Sequence, residues 1–372
     1  MRKILKKMKD EKGSITSVVL VTVLFFIIIL STALMISGTQ RKSQLDSEIT
    51  LKQVYQNQVD DAKKISKSLE IVTAPIPDGF YYVGGTDDSG VVISDNIADK
   101  DRYKGEEDVG TDLVGNQFVW IPVDNIADYK RTAYSTQVAT GTIDTTTNSE
   151  QIKYSSSISY YFTEALPTDE KTSVEKNKGY YIGRYETGDK ESTEAKTPAF
   201  RTSSSSTSNT ITVKAGQAPY NYTSYTDAKS LAEGFSAKQG YTSVKSKLVS
   251  SYAWDTAIAF IQKTNSDYGS STEEGNYYGK TFDYTDITGV SKTKAKNTST
   301  LIPTGQTTAV NNIYDMGGNV DEWTTETYSN TSYSCTSRGG GYINGSTNPA
   351  GYRNNFSDKA YAYVAFRITL FL

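Results

Sequence analysis

The chain has 372 residues, 39 basic and 42 acidic, a net charge of −3, no histidine and a single cysteine, Cys335. Near-neutral charge offers nothing to a nucleic acid, one cysteine excludes an intrachain disulfide framework, and the lack of histidine excludes a Ser/His/Asp triad. Tyrosine is used 28 times, often in polar surroundings, as in a binding surface or a strand-rich exported fold.

Residues Ile15 to Ile36 are almost wholly apolar, about the 20 residues that cross a hydrocarbon core as a helix. Arg2, Lys3, Lys6, Lys7, Lys9 and Lys12 precede them, and Arg41 and Lys42 follow. The excess on the first side predicts a cytoplasmic N-terminus. A cleaved signal peptide is the alternative, but its apolar region would be shorter and end in an A-x-A-like site. Thr39 to Glu70 contains neither proline nor glycine. Leu45, Ile49, Leu51, Val54, Ala62, Ile65 and Leu69 recur there mostly at three- and four-residue steps, a helical period. Gly38 is its weak point. A helix from Ser14 to Glu70 would be roughly 85 Å long. The expected plan is a basic cytoplasmic leader over 1–13, a transmembrane helix over 14–37, a helical stalk over 38–70 and an extracellular domain over 75–372. An exported chain of this size without disulfides points to the cell membrane or surface of a Gram-positive bacterium. The exported part is long enough for one large domain or two small ones.

Pro75 to Gly79, P-I-P-D-G, ends the helix. Phe80 to Val83, Val91 to Ser94, Gly115 to Val123 and Gly179 to Gly188 read as strands. Tyr129 to Thr172, rich in Thr, Ser and Tyr, reads as an insertion or long surface loop. Thr202 to Asn209 is low in complexity and reads as flexible. Thr226 to Lys238 places Ala228, Leu231, Ala232 and Phe235 on one helical face, with Thr226 able to cap its start. Ser251 to Thr264 does the same with Ala253, Trp254, Ala257, Ile258 and Ile261. From Asn265 onward the pattern predicts short strands and irregular loops without a helix.

Near the C-terminus stand N-N-I-Y-D-M-G-G-N-V-D-E-W (Asn311 to Trp323), R-G-G-G-Y from Arg338, and V-A-F-R-I from Val364. These blocks, in this order, resemble the formylglycine-generating-enzyme family and its C-type-lectin-like relatives. The resemblance covers roughly Pro75 to Leu372 and implies an α+β, irregular C-type-lectin-like domain, here on the long N-terminal transmembrane and stalk helix. It also implies an oxidoreductase, in which a cysteine pair soon after the R-G-G block holds copper. Tyr342 to Asn355 contains no cysteine, and Cys335 precedes Arg338 without a partner. One thiolate cannot make the two-coordinate soft site that copper(I) prefers. The three-histidine iron site of the ergothioneine-pathway relatives cannot be built either. No copper or iron is therefore expected, and no enzyme. Cys335 reads as a small buried residue. Paired carboxylates for glycoside hydrolysis stay open, with no spacing that singles out a pair.

Two further sites follow from the resemblance. The family's structural calcium lies in the turn before the tryptophan. Carried over, its ligands are Asp315, the carbonyls of Gly318 and Val320, and Glu322; in the ion-free alternative Asp315 and Glu322 bond backbone amides instead. Asp321 departs from the usual tryptophan. Gly341 to Phe366 looks like the variable segment of retroelement-diversified C-type-lectin-fold proteins, or else an ordinary polar loop system. Its candidate ligand-binding residues are Tyr342, Asn344, Tyr352, Asn354, Asn355, Tyr361 and Tyr363, a set suited to a paratope. Arg338, Arg353 and Arg367 read as framework partners of acids or carbonyls.

The N-terminal helix is similar to type IV pilin-like subunits, and Lys12 to Thr16, K-G-S-I-T, looks like a prepilin-peptidase site cut after Gly13. Val18 stands where pilins carry glutamate, so plain membrane anchoring is the alternative. These features together predict a surface-displayed adhesin or receptor-like protein with a non-catalytic domain that binds a protein or glycan ligand. The alternatives are a structural pilin or pseudopilin-like subunit that packs with other such subunits, and, disfavoured by the missing residues, a formylglycine-generating-enzyme-like oxidoreductase.

Overall fold

The computed structural model describes Phe26 and residues 52–57, 72–134, 142–144, 151–153, 159–204, 210–270, 278–344 and 348–372. The chain divides into two units, Met1–Ile71 and Val72–Leu372. In the first, Phe26 and residues 52–57 are helical and exposed. The leader, nearly all of the apolar span and most of the stalk lie outside the described residues. Among the described residues no helix is long and apolar enough to cross a membrane.

The second unit is built on an antiparallel sheet of six strands. Their order is β1 (Tyr81–Gly84), β2 (Val92–Ser94), β3 (Gln117–Pro122), β7 (Gly179–Gly183), β18 (Ile368–Phe371) and β11 (Lys245–Leu248). The unbroken apolar run of β3 has a plain cause: both faces of the strand are buried. Val119 and Ile121 point into one core with Tyr180 and Ile182, while Phe118 and Trp120 point into another with Tyr181. The pairings Val119↔Ile182 and Trp120↔Tyr181 keep each pair on a common face. A helix covers each side. Helix α3 (Tyr225–Gln239) buries Ala228, Leu231, Ala232 and Phe235 in the second core. Helix α4 (Ser251–Ile261) buries Ala253, Trp254, Ala257, Ile258 and Ile261 in the first. Both faces match the sequence periodicity.

A second sheet runs in the order β16 (Arg353–Phe356), β15 (Cys335–Arg338), β14 (Asp321–Tyr328), β6 (Phe162–Thr163), β5 (Gln151–Lys153) and β4 (Thr142–Asp144), with β17 (Val364–Phe366) pairing in parallel with β14. Strands β8 (Gly188–Asp189), β9 (Ile211–Thr212) and β10 (Ala218–Pro219) form a small sheet, and β12 (Phe282–Thr285) pairs with β13 (Ser291–Lys294) in a hairpin.

The structure departs from the sequence reading in four places. Gly179 to Gly188, read as one strand, is two, β7 and β8, with residues 184–187 between them outside any strand. The stretch 129–172, read as an insertion or surface loop, contributes β4 to β6 to the second sheet. It also starts helix α1 (Thr168–Asn177), which the sequence conceals because T-D-E-K-T-S-V-E-K-N carries one buried apolar residue, Val174. Helix α2 (Lys190–Glu194) is one turn held by Asp189, whose carboxylate accepts the Ser192 amide at 2.9 Å. The cap of α3 is Ser224 rather than Thr226: Ser224 Oγ accepts the Asp227 amide at 3.1 Å, while the Thr226 hydroxyl donates to Asp358. Of the low-complexity stretch Thr202 to Asn209, residues 205–209 lie outside the described residues.

Candidate functional site

The motif turn Asn311 to Trp323 is a run of left-handed backbone. Asn311, Asn312, Asp315 and Asn319 have φ of 50°, 60°, 58° and 57°. Asparagine and aspartate tolerate this region better than other side chains. Here they also use their side chains. Asn312 Nδ2 donates to the carbonyls of Ser89, Gly90 and Glu107 at 3.1, 3.0 and 2.8 Å, and its Oδ1 accepts from Val109 N at 2.9 Å. Asn319 exchanges two bonds with the Ile302 backbone, at 3.1 and 3.0 Å, and donates to Glu186. The turn thus ties the C-terminal sheet to loops more than two hundred residues away in sequence.

The carboxylates that the resemblance assigns to calcium are both engaged by protein donors. Asp315 accepts the Gly305 amide and the Thr307 hydroxyl, each at 2.6 Å. Glu322 takes the Arg367 guanidinium in a fork, at 2.8 and 2.6 Å. Arg367 continues to the carbonyls of Gly183 and Tyr314 at 2.8 and 2.9 Å. A cation held by Glu322 would have to displace that guanidinium, so the donor set as arranged does not suit the ion. Among the described residues no three Asp, Glu, Cys or His side chains are grouped to hold a metal. Gly318, with φ of 95°, donates its amide to the Gly339 carbonyl at 3.0 Å and holds the two motif blocks together.

Beneath β14 to β16 lies a buried network of five charges. Glu326 accepts from Arg131 and, at 3.0 Å, from Arg353; Asp255 on α4 accepts from Arg338 and Arg353, both at 2.6 Å. Burial alone would raise the Glu326 carboxyl, but Arg353, Arg131 and Arg338 outweigh it and hold it at about 2. Arg338 also donates to the carbonyls of Tyr352 and Gly351, at 3.1 and 3.2 Å. All three framework arginines read from the sequence are therefore paired with acids and carbonyls. Cys335 is free and buried, and burial raises its thiol.

Around this frame lie the seven candidate ligand-binding residues, all half-buried; Asn355 shares the Arg353 face of β16, opposite to Asn354. Asn354 pairs with Ser337 and Asn355 with Thr336 across β15 and β16. Tyr361 and Tyr363 have ring centroids 5.7 Å apart, and both pack on Phe356, at 4.9 and 5.9 Å. Tyr361 and Phe356 also reach the fully buried Trp323, at 6.1 and 5.8 Å. Tyr342 stands apart from that ring cluster, tied by its amide to the Asn319 carbonyl at 2.6 Å. The Tyr352 carbonyl accepts from Arg338 Nε at 3.1 Å. Asn344 Oδ1 accepts from Gly341 N at 2.7 Å. Residues 345–347 of the same segment lie outside the described residues.

The sequence reading missed Phe356 and Tyr222. Phe356 follows Asn354 by two and so shares its face of β16, a signal visible in the alternation. Tyr222 has no such signal; its φ of 51° and its amide bond to the Tyr361 carbonyl at 2.9 Å come only from the fold.

A model of the sulfatase-modifying factor enzyme 1-like domain matches residues 122–369. The chain belongs to this family. No curated protein sequence matches it. Among solved structures, the crystal structure of CarF is similar at 14% identity, over 52% of this chain and 87% of that one, with a TM-score of 0.31. The family model begins inside β3 and ends inside β18, so the match includes the left-handed turn, the buried charge network and the half-buried tyrosines of this sulfatase-modifying-factor-like domain.

Proposed function

We propose that this member of the family is a surface-displayed binding protein, whose domain recognises a protein or glycan ligand through the loops between β15 and β18 and performs no oxidation. A transmembrane helix over 14–37 would carry it, and the N-terminus would be cytoplasmic. The observation that carries the reading is the layering at the C-terminus: half-buried tyrosines and asparagines over a frame of buried ion pairs. Rigid aromatic anchors on a pre-organised scaffold lose little entropy on binding. The absence of histidine and the lone buried cysteine support a non-catalytic role, because a reactive thiol needs exposure and a lowered pKa.

The test has two arms. Wild type and a variant carrying alanine at Tyr342, Asn344, Tyr352 and Asn354 are screened side by side on glycan arrays and immobilised surface proteins. Binding by wild type that the folded variant loses is the expected result; equal binding by the variant would move recognition elsewhere. In the second arm the protein is supplied with copper(I), oxygen and a cysteine-bearing peptide. No aldehyde should form, and its appearance would restore the oxidoreductase.

A further inference from the structure

Asp321 opens β14. The side chain is fully buried. Its Oδ1 accepts a long bond from Ser337 Oγ at 3.3 Å, and the Gly340 backbone amide also acts on the carboxylate. Its Oδ2 has no hydrogen-bond partner. The Arg367 guanidinium is already committed to Glu322. A buried charge without a partner costs stability. Local violations of this kind concentrate where function demands them.

The surroundings of Asp321 are the proposed display surface. Its amide donates to the Tyr363 carbonyl at 2.8 Å, and two residues earlier the Asn319 carbonyl receives the Tyr342 amide. The strand register puts Asp321, Trp323, Ser337, Asn354 and Phe356 on one face, the face that Tyr361 and Tyr363 cover with their rings. Gly341, the neighbour of Tyr342, packs against this carboxylate: a Cβ on Gly341 would lie 3.1 Å from Asp321 Oδ2 and 3.2 Å from both the Asp321 amide nitrogen and the Tyr363 carbonyl.

We propose that Asp321 is the anionic floor of a subsite for a cationic side chain, a lysine or arginine of a protein ligand, that enters between Tyr342 and Tyr363. This rests on the display reading and names the chemistry of its ligand. The methylene stem of such a side chain lies along tyrosine rings while its tip meets the carboxylate. A neutral glycan supplies no charge to compensate Asp321, whereas an ammonium or guanidinium compensates it directly and leaves Oδ2 hydrogen-bonded.

The experiment uses the full chain in detergent and calorimetric titration with three probes: the N-acetyl, N-methylamide derivatives of lysine, arginine and norleucine. Wild type should bind the two cationic probes about tenfold more tightly than norleucine. Asp321→Asn keeps the volume and removes the charge. It should bring all three within about twofold of one another while unfolding at no lower denaturant concentration than wild type. Gly341→Ala should also weaken the cationic probes. Retention of the preference in Asp321→Asn, or no preference in wild type, would overturn the proposal. Tyr363→Ala separates the two readings. If it weakens all probes but wild type shows no cation preference, the display surface stands and the subsite falls. If it changes nothing while Asp321→Asn abolishes the preference, the subsite stands and the display reading falls.

Discussion

At the scale of single residues, the C-terminal motifs exist because of backbone and charge requirements that few side chains meet. Asn312 and Asn319 combine left-handed φ with side-chain amides that satisfy distant backbone groups, so alanine at either position would both strain the turn and orphan buried polar atoms. Arg367 and Glu322 are fully buried and bound in a fork. Removing one partner leaves the other charge uncompensated. Arg367→Ala should cost about 3–5 kcal/mol, and Glu322→Ala in the same background should recover part of that loss. A double-mutant cycle by denaturant unfolding reads the coupling; strict additivity of the two changes would contradict the pair. The same fork bears on calcium. Adding calcium or excess chelator should leave the thermal midpoint where it was, because a ligand shifts the midpoint only by binding the folded state. A chelator-sensitive midpoint, abolished by Glu322→Gln, would instead support the ion.

At the scale of elements, the N-terminus of α4 carries the clearest pH dependence. Glu164 Oε2 accepts the Ser251 amide at 2.8 Å and the Ser251 hydroxyl, and its Oε1 accepts from Thr325. Burial nevertheless pushes the carboxyl up to about 7, with Glu326 and Glu170 adding to the rise. An acid raised on folding holds its proton more tightly in the native state. Its stabilising contribution is complete below the unfolded value near 4.5 and is lost as pH climbs through about 7. Glu164→Gln should flatten that decline by on the order of 3 kcal/mol at most, seen in denaturant midpoints from acid to neutral pH; an unchanged slope would place the titration elsewhere. Elements with a strong apolar period were legible from sequence, as α3, α4 and β3 demonstrate. The charged helix α1 was not, since its burial of Glu170 and Ser173 depends on tertiary partners such as Ser250 and Leu372. Of the candidate site, the framework arginines were legible because buried arginine demands acids. Their partners Asp255 and Glu326 were not, because nothing in a single sequence pairs residues from α4 and β14.

At the scale of the whole molecule, the boundary at Val72 predicts that residues 72–372 made alone fold as a soluble domain. Size-exclusion chromatography in detergent-free buffer checks this, with a single peak at the mass of the domain expected and persistent aggregation counting against the boundary. The central claim is that the C-terminal loops are a display surface laid over a rigid core. The seven candidates are less exposed than a free-standing loop would make them, because the Tyr361 and Tyr363 rings share the cluster around Phe356 and Trp323. That contact grades the expected outcome. Denaturant unfolding of five alanine variants tests the claim most directly. Tyr342→Ala and Tyr352→Ala should fall within about 0.5–1 kcal/mol of wild type. Tyr361→Ala and Tyr363→Ala should lose about 1–2 kcal/mol through their ring contacts. Trp323→Ala should lose about 3–5 kcal/mol as a core truncation. Losses at Tyr342 and Tyr352 as large as that at Trp323 would make the loops core packing and contradict the account.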